Sequence, residues 1–193
     1  MHKLASAFIL GYHGCDATVA ENLIGGAKFK QSQNEYDWLG HGVYFWESNP
    51  KRGLDFAKEL KTLSNKQEIK TPAVVGAIID LGLCLDLTTS AGIQQVRTSY
   101  RRLEEVTYVA QSELPKNSDD LLRRYLDCAV IEFLHGVRSN AKDTEIDSVR
   151  GIFLEGAPVY AGSGFFEKTH IQICVRNPDC IKGVFKVPAN QLN

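Results

Sequence analysis

The 193-residue chain has no excess of charge of either sign: 22 Lys and Arg stand against 23 Asp and Glu, a formal net charge of −1. That balance removes any bulk electrostatic case for a nucleic-acid duplex or an anionic membrane as partner, while leaving room for a local basic groove. The chain also lacks an ordered cysteine pattern. Its five cysteines (Cys15, Cys84, Cys128, Cys174 and Cys180) are odd in number, scattered and without a CxxC, and read as reduced thiols rather than a disulfide framework or a zinc site. No apolar run approaches the roughly 18–20 residues that span a bilayer. Met1-His2-Lys3 followed by the run from Leu4 to Leu10 imitates a signal peptide only loosely. It leads into Gly11-Tyr12-His13-Gly14 without a small-residue cleavage site, and reads as a first strand. The expectation is a soluble, cytoplasmic protein.

What is present is ordinary for a globule: 44% hydrophobic residues, 23% charged, 16 Gly and 6 Pro, which argues against disorder, collagen and repeat architectures. The length fits one domain, residues 1–193, with a sizeable core.

Residues 8–12 read as a short buried strand ending at a glycine-flanked histidine. Asp16 is placed to cap a helix with Val19, Leu23 and Ile24 inward and Gly25-Gly26 closing it. Residues 28–37 are polar and aperiodic, hence a loop, which leads through Trp38-Leu39-Gly40-His41-Gly42 into the β-rich run Val43-Tyr44-Phe45-Trp46. Asn49-Pro50 starts a helix carrying Leu54, Phe56, Ala57 and Leu60 that ends near Ser64-Asn65. Residues 73–79 form a strand apolar on both faces, which 83–87 can continue past the turn at Asp80-Gly82. Ser90 is expected to cap a helix through Ile93, Val96, Tyr100, Leu103 and Val106. Ser118-Asp119-Asp120 is expected to start another through Leu121, Leu122, Tyr125, Leu126, Ala129 and Phe133. Residues 146–154, 169–175 and 182–187 read as strands. Helices in the middle and strands at both ends give an α+β layout whose sheet joins the two ends of the chain.

Three segments carry residue types suited to chemistry: Gly11-Tyr12-His13-Gly14, Gly40-His41-Gly42-Val43-Tyr44-Phe45, and His170-Ile171-Gln172-Ile173-Cys174-Val175 trailed by Arg176-Asn177-Pro178. Singly, the first is as often a turn and the second a glycine bulge opening a strand. Along the third, Ile171, Ile173 and Val175 share a face suited to the core, and His170, Gln172 and Cys174 share the face available to a cleft.

Taken in order, the three segments resemble the ADP-ribosyltransferase superfamily in its diphtheria-toxin-like and poly(ADP-ribose) polymerase-like branch. That branch carries a His-Tyr-Glu triad on three strands, with HG on the first, G-x-G-[VI]-Y-F on the second and the third member near the C-terminus. The pattern extends loosely over the whole chain and is closest to small bacterial members whose last motif strand carries Gln-Ile-Cys. The resemblance implies a split, mostly antiparallel β-sandwich core with the middle helices packed on it. It also implies NAD as co-substrate, no metal, and transfer of ADP-ribose.

In that scheme His13 hydrogen-bonds the adenosine ribose and the backbone of Gly14 pairs with the nicotinamide carboxamide. Tyr44, followed by Phe45, gives nicotinamide an aromatic face, and Gly42 lets the backbone pass close to the ligand. Gln172 stands where the family has Glu; its amide can hold a ribose hydroxyl but cannot take a proton. Candidates for that proton are Glu155, Glu167 and Glu132, with Glu155 preferred and Glu132 expected in solvent. Arg150 can reach the NAD pyrophosphate or form a salt bridge. His41 is open to an acceptor contact or to solvent. Arg97, Arg101 and Arg102, with Arg123 and Arg124, form basic clusters that read as solvated helix faces, with guidance of a single-stranded nucleic acid the sharper reading.

The implied activity is mono-ADP-ribosylation of a protein or nucleic acid by an intracellular toxin or phage-defence effector, with an antitoxin as partner. The alternatives are a catalytically weak NAD- or ADP-ribose-binding module and an NAD-dependent RNA 2′-phosphotransferase, for which His13, Arg150 and Arg176 are the available phosphate ligands.

Overall fold

Asp16 makes the first connection of the fold. One carboxylate oxygen accepts from the N–H of Thr18, capping a helix, and the other accepts from the N–H groups of Lys70 and Thr71, more than fifty residues on. Those donors, Thr71 foremost, hold its pKa at about 2. In the computed structural model, which describes residues 8–63 and 69–192, this joins strand β1 (Phe8–Asp16), helix α1 (Ala17–Ile24) and strand β3 (Pro72–Asp80). The signal-like start at Met1-His2-Lys3 and the helix end at Ser64-Asn65 lie outside the described residues.

The remaining elements are β2 (Val43–Glu47), α2 (Pro50–Leu63), β4 (Cys84–Asp86), α3 (Ser90–Val109), α4 (Tyr125–Asn140), β5 (Ser148–Phe153), β6 (His170–Val175) and β7 (Ile181–Lys186). The fold is α+β. Its strands form one open sheet in the order β4-β5-β6-β2-β1-β3-β7, antiparallel at every junction except β4–β5. The expected sandwich of two packed sheets is therefore replaced by a single sheet whose two faces are each covered. One face buries Val43, Phe45, Ala77, Ile79, Ile173 and Val175 together. The other buries Leu85, Val149 and Cys174 under Leu39, Ile131 and Ile146. Phe45, wholly buried, contributes about 2–3 kcal/mol through removal of its ring from water.

Several local expectations shift. Residues 83–87 do not extend β3 but cross to the far edge of the sheet as β4. Gly82, at φ +57°, reverses the chain, and a Cβ there would lie 2.3 Å from Asp147 Oδ2. The same carboxylate accepts from Leu83 N at 2.8 Å. Thr89 rather than Ser90 caps α3, accepting from Gly92 N at 3.1 Å. Its expected apolar stripe is only partly covered, with Ile93 and Val106 exposed, because α3 meets α4 through the small Ser99, whose Oγ donates to Val130 O at 2.8 Å. The second long helix starts at Tyr125, not Ser118: the side chains of Ser118 and Asp120 bond the N–H groups of Arg123 and Leu122, holding a turn, and Asn117 caps Leu126 and Asp127. In α1, Ala20 and Leu23 face inward while Val19 and Ile24 are exposed, since two turns present only a narrow buried stripe.

Candidate active site

Strand order places β6, β2 and β1 side by side, so the three motif segments stand on adjacent strands. Tyr44 pairs with Cys174 and Trp46 with Gln172 across β2–β6. Across β1–β2 the register is Gly11 with Glu47 and Tyr12 with Trp46, and there the pairing stops. Beyond it β1 continues along β3 to Asp16–Pro72, and β2 continues along β6 to Val43–Val175. The sheet thus opens between β1 and β2 at the point where His13-Gly14 faces Tyr44-Phe45.

His13 spans the opening. Its Nδ1 lies 2.9 Å from the carbonyl oxygen of Tyr44, and since a carbonyl only accepts, Nδ1 carries the proton and the neutral ring keeps a lone pair on Nε2. Burial lowers the pKa of this histidine, the carbonyl contact opposing it, and Phe29 and Phe45 pack at its edges. Gly14 follows. Ser48 N donates to Leu10 O at 2.9 Å, which fixes that Leu10, Tyr12 and Gly14 turn their backbone groups toward β2. Past the last registered pair, the N–H and C=O of Gly14 are directed into the opening. Its other approach is closed by α2, where a Cβ would lie 2.0 Å from Gly53 O.

On the Tyr44 side a loop lies over the sheet. The Tyr44 hydroxyl donates to Gly40 O at 2.8 Å and accepts from Leu39 N at 3.0 Å, and burial holds the phenol far above its ordinary pKa. Gly42 and Ser32 exchange both backbone hydrogen bonds, anchoring the loop's return. Gln172 is engaged at both ends: Oε1 accepts from Trp38 Nε1 at 2.6 Å, and Nε2 lies 3.0 Å from His170 Nε2. His170 Nδ1 in turn lies 2.6 Å from Lys168 O. Trp38 packs on Phe153, and the Arg124 guanidinium lies over both rings, 4.9 and 4.4 Å from their centres.

The register also separates what the motif order suggested would converge. Tyr12, Gly14, Tyr44, Trp46, Gln172 and Cys174 project to one face, and His13, Phe45 and Ile173 to the other. His13 therefore meets Tyr44 through its backbone, not ring to ring. The three motif side chains do not line a common cavity among those described. A cavity of about 270 Å³ lies instead against α4, lined by Glu132, His135, Ser139, Glu145 and Arg176 among others.

The remaining candidates are structural in this arrangement. Arg150 is held by Glu47 through its Nε and Nη2 and by Asp86, which raises its pKa further, so its guanidinium is not free for a pyrophosphate. Glu155 is bound by Arg52 at 2.8 Å and Lys168 at 3.4 Å. Burial pushes its pKa up, but the two cations win and leave it lowered, the wrong direction for a general base. Glu132 is not in solvent: it accepts from His41 N at 2.7 Å and Arg176 Nη1 at 3.0 Å, bracing the Gly40-His41 turn. Glu167 accepts only from Ala157 N at 3.4 Å on an exposed turn. With Arg150 and Arg176 both ion-paired, the phosphate ligands of the 2′-phosphotransferase reading reduce to His13. Burial raises the pKa of the Cys15 thiol to about 11, which keeps it protonated near neutral pH.

Trp38, His170 and Arg124 complete the surroundings of Gln172, a role that the reading of the sequence gave to none of them. Arg124 in particular belongs not to a solvated helix face but to the turn before α4. The only available signal was the alternation that set His170 beside Gln172. Among the described residues no helix is long and apolar enough to cross a membrane, and no group of three or more His, Cys, Asp or Glu is placed to hold a metal ion.

No protein-family model and no solved structure matches the chain. An uncharacterized protein of Methanocaldococcus jannaschii is 26% identical to it over 192 residues, an alignment that covers 89% of this chain and 83% of the archaeal protein.

Proposed function

We propose that this chain is an NAD-dependent mono-ADP-ribosyltransferase acting on a macromolecule. The observation that carries the reading is the opening of the sheet between β1 and β2 opposite the HG and GxGxYF segments, with Gln172 on the next strand. NAD would supply an ADP-ribose unit on a bond to a good leaving group. The transfer breaks the bond between nicotinamide nitrogen and ribose, forms one from that ribose carbon to an acceptor heteroatom, and releases neutral nicotinamide and the acceptor's proton.

Singly the residues suit these tasks, His13 from one face of the sheet and Tyr44 and Gln172 from the other. Gly14 turns a donor and an acceptor into the opening, the complement of a carboxamide. His13, neutral and protonated on Nδ1, keeps Nε2 to accept from a hydroxyl. Tyr44 offers a ring face fixed by its own hydroxyl contacts, and Gln172 offers an amide once Trp38 moves from Oε1. Glu155 and Glu132 are held by cations and, of the three candidates, Glu167 alone stands without one, on an exposed turn, which favours single transfer to a nucleophilic acceptor over chain elongation. We read the protein as an effector acting inside the cell that makes it, with a neutralising partner.

The engaged state of Glu155 favours one second reading, a module that binds NAD without cleaving it. Labelled NAD with cell extract separates the two. Wild type is expected to transfer label and release nicotinamide, and Tyr44→Ala to do neither. Tight NAD binding without nicotinamide release would establish the module, and equal labelling by both proteins would reject the site.

A further inference from the structure

We infer that His170 is a positioning residue that fixes the amide of Gln172 in one orientation and makes glutamine, not glutamate, the residue that fits this third motif position. The role assigned to that amide rests on the transferase reading; the proton arrangement does not.

The argument runs from proton counting. Lys168 O can only accept, so the 2.6 Å contact to His170 Nδ1 requires a proton on Nδ1. In the neutral ring Nε2 then holds a lone pair. The side-chain atom of Gln172 at 3.0 Å from that lone pair is a donor, Nε2, and Trp38 Nε1, a donor only, faces the acceptor Oε1 at 2.6 Å. Each of the three contacts is consistent with the other two, and a flipped amide would break two of them at once. The second N–H of the amide takes no part in these contacts, while Trp38 holds Oε1. His170 is 95% buried and its ring stacks on Phe153 and leans on Trp46, so it has no room to turn away.

Glutamate at 172 would keep the Trp38 contact but set a carboxylate oxygen against the bare Nε2 of His170. Two acceptors cannot share that contact, so either the carboxyl or the imidazole must gain a proton. The charged and titratable groups around His170 are Arg52 on α2, which disfavours the imidazolium, and Glu155 and Glu59, which favour it, with Lys168 ion-paired to both carboxylates. Placing a carboxylate within hydrogen-bond distance adds to the favouring side. The departure from the family's Glu is therefore matched by a neighbouring residue that accepts only an amide in the neutral state.

Long-range proton–nitrogen NMR of the histidine rings in the ¹⁵N-labelled full chain tests this. In wild type at pH 7 the His170 ring is expected to be neutral with Nδ1 protonated and Nε2 bare. In Gln172→Glu its titration is expected to move up by about one to two pH units, the imidazole gaining a proton on Nε2. An Nε2-protonated neutral tautomer in wild type overturns the inference, as does a folded Gln172→Glu in which the His170 titration is unmoved and the new carboxyl titrates in the ordinary carboxylate range. Should that variant fail to fold, the wild-type tautomer decides alone. Absence of NAD turnover in wild type with the expected His170 spectrum would reject the transferase reading and leave this one standing.

Discussion

The imidazole of His13 spans the parting of two strands, its Nδ1 2.9 Å from the backbone carbonyl oxygen of Tyr44. A side chain here replaces the ladder hydrogen bonds that β1 and β2 no longer make. Removing it should leave that carbonyl without a partner and a void beside Phe29 and Phe45. His13→Ala is expected to lose about 2–3 kcal/mol of stability, read from urea unfolding at pH 7.5. A loss within error of zero would mean that the gap closes without it.

Stability should fall on mild acidification. His13, His135 and His170 all have pKa values lowered by burial from the ordinary 6.5, His135 to about 3 under the added influence of Arg176 and Arg138. Below about pH 6.5 the unfolded chain binds protons that the folded chain refuses, and each such histidine removes about 1.4 kcal/mol per pH unit. Glu155 and Asp16, whose pKa values are lowered, act in the same sense at lower pH, their contribution vanishing as pH falls through the folded values. Urea midpoints from pH 7.5 to 5 are expected to decline steadily, and a flat profile would contradict the buried neutral histidines.

Gly14→Ala tests the contact under α2. The added methyl would lie 2.0 Å from Gly53 O, a backbone atom that moves only with its helix. A destabilisation of about 3 kcal/mol is expected from such overpacking, visible as a lowered melting temperature. A variant as stable as wild type would show that α2 shifts freely.

Arg150 is expected to matter for stability and not for NAD. Arg150→Ala leaves Glu47 and Asp86 facing each other with their shared cation gone, which should cost about 3 kcal/mol or more. NAD affinity measured by calorimetry on the folded variant should match wild type. A selective loss of affinity at unchanged stability would return Arg150 to the ligand site.

Trp38 should report on ligand binding. Its indole occupies Oε1 of Gln172, while the other tryptophan, Trp46, is fully enclosed. NAD is expected to displace Trp38 and change the tryptophan emission, and Trp38→Phe to remove that change. A ligand-dependent signal that persists in Trp38→Phe would place the displacement elsewhere.

The sequence was most legible where one residue type has one local task. Asp16 capping α1 and Pro50 opening α2 follow from hydrogen-bond chemistry and both are present, whereas the β6 face expected to be open to a cleft is closed at His170 and Cys174, which are buried. It was least legible where a choice depends on neighbours distant in the chain. Ser118 and Asp120 can cap a helix or tie a turn, and here they tie a turn because Asn117 does the capping. Glu155 beside a glycine looks like a free acid until Arg52 and Lys168 come from other elements to bind it.

Composition, period and motif order alone determined an α+β chain whose three motif segments fall on strands, because those properties are set by residues close together in the chain. Only the tertiary structure decided that these strands are neighbours, that the sheet parts between two of them, and that His13 and Gln172 face opposite sides. Register is the physical reason: it is fixed by packing across strands, and a shift of one residue reverses every side chain, so no stretch of sequence read by itself contains it.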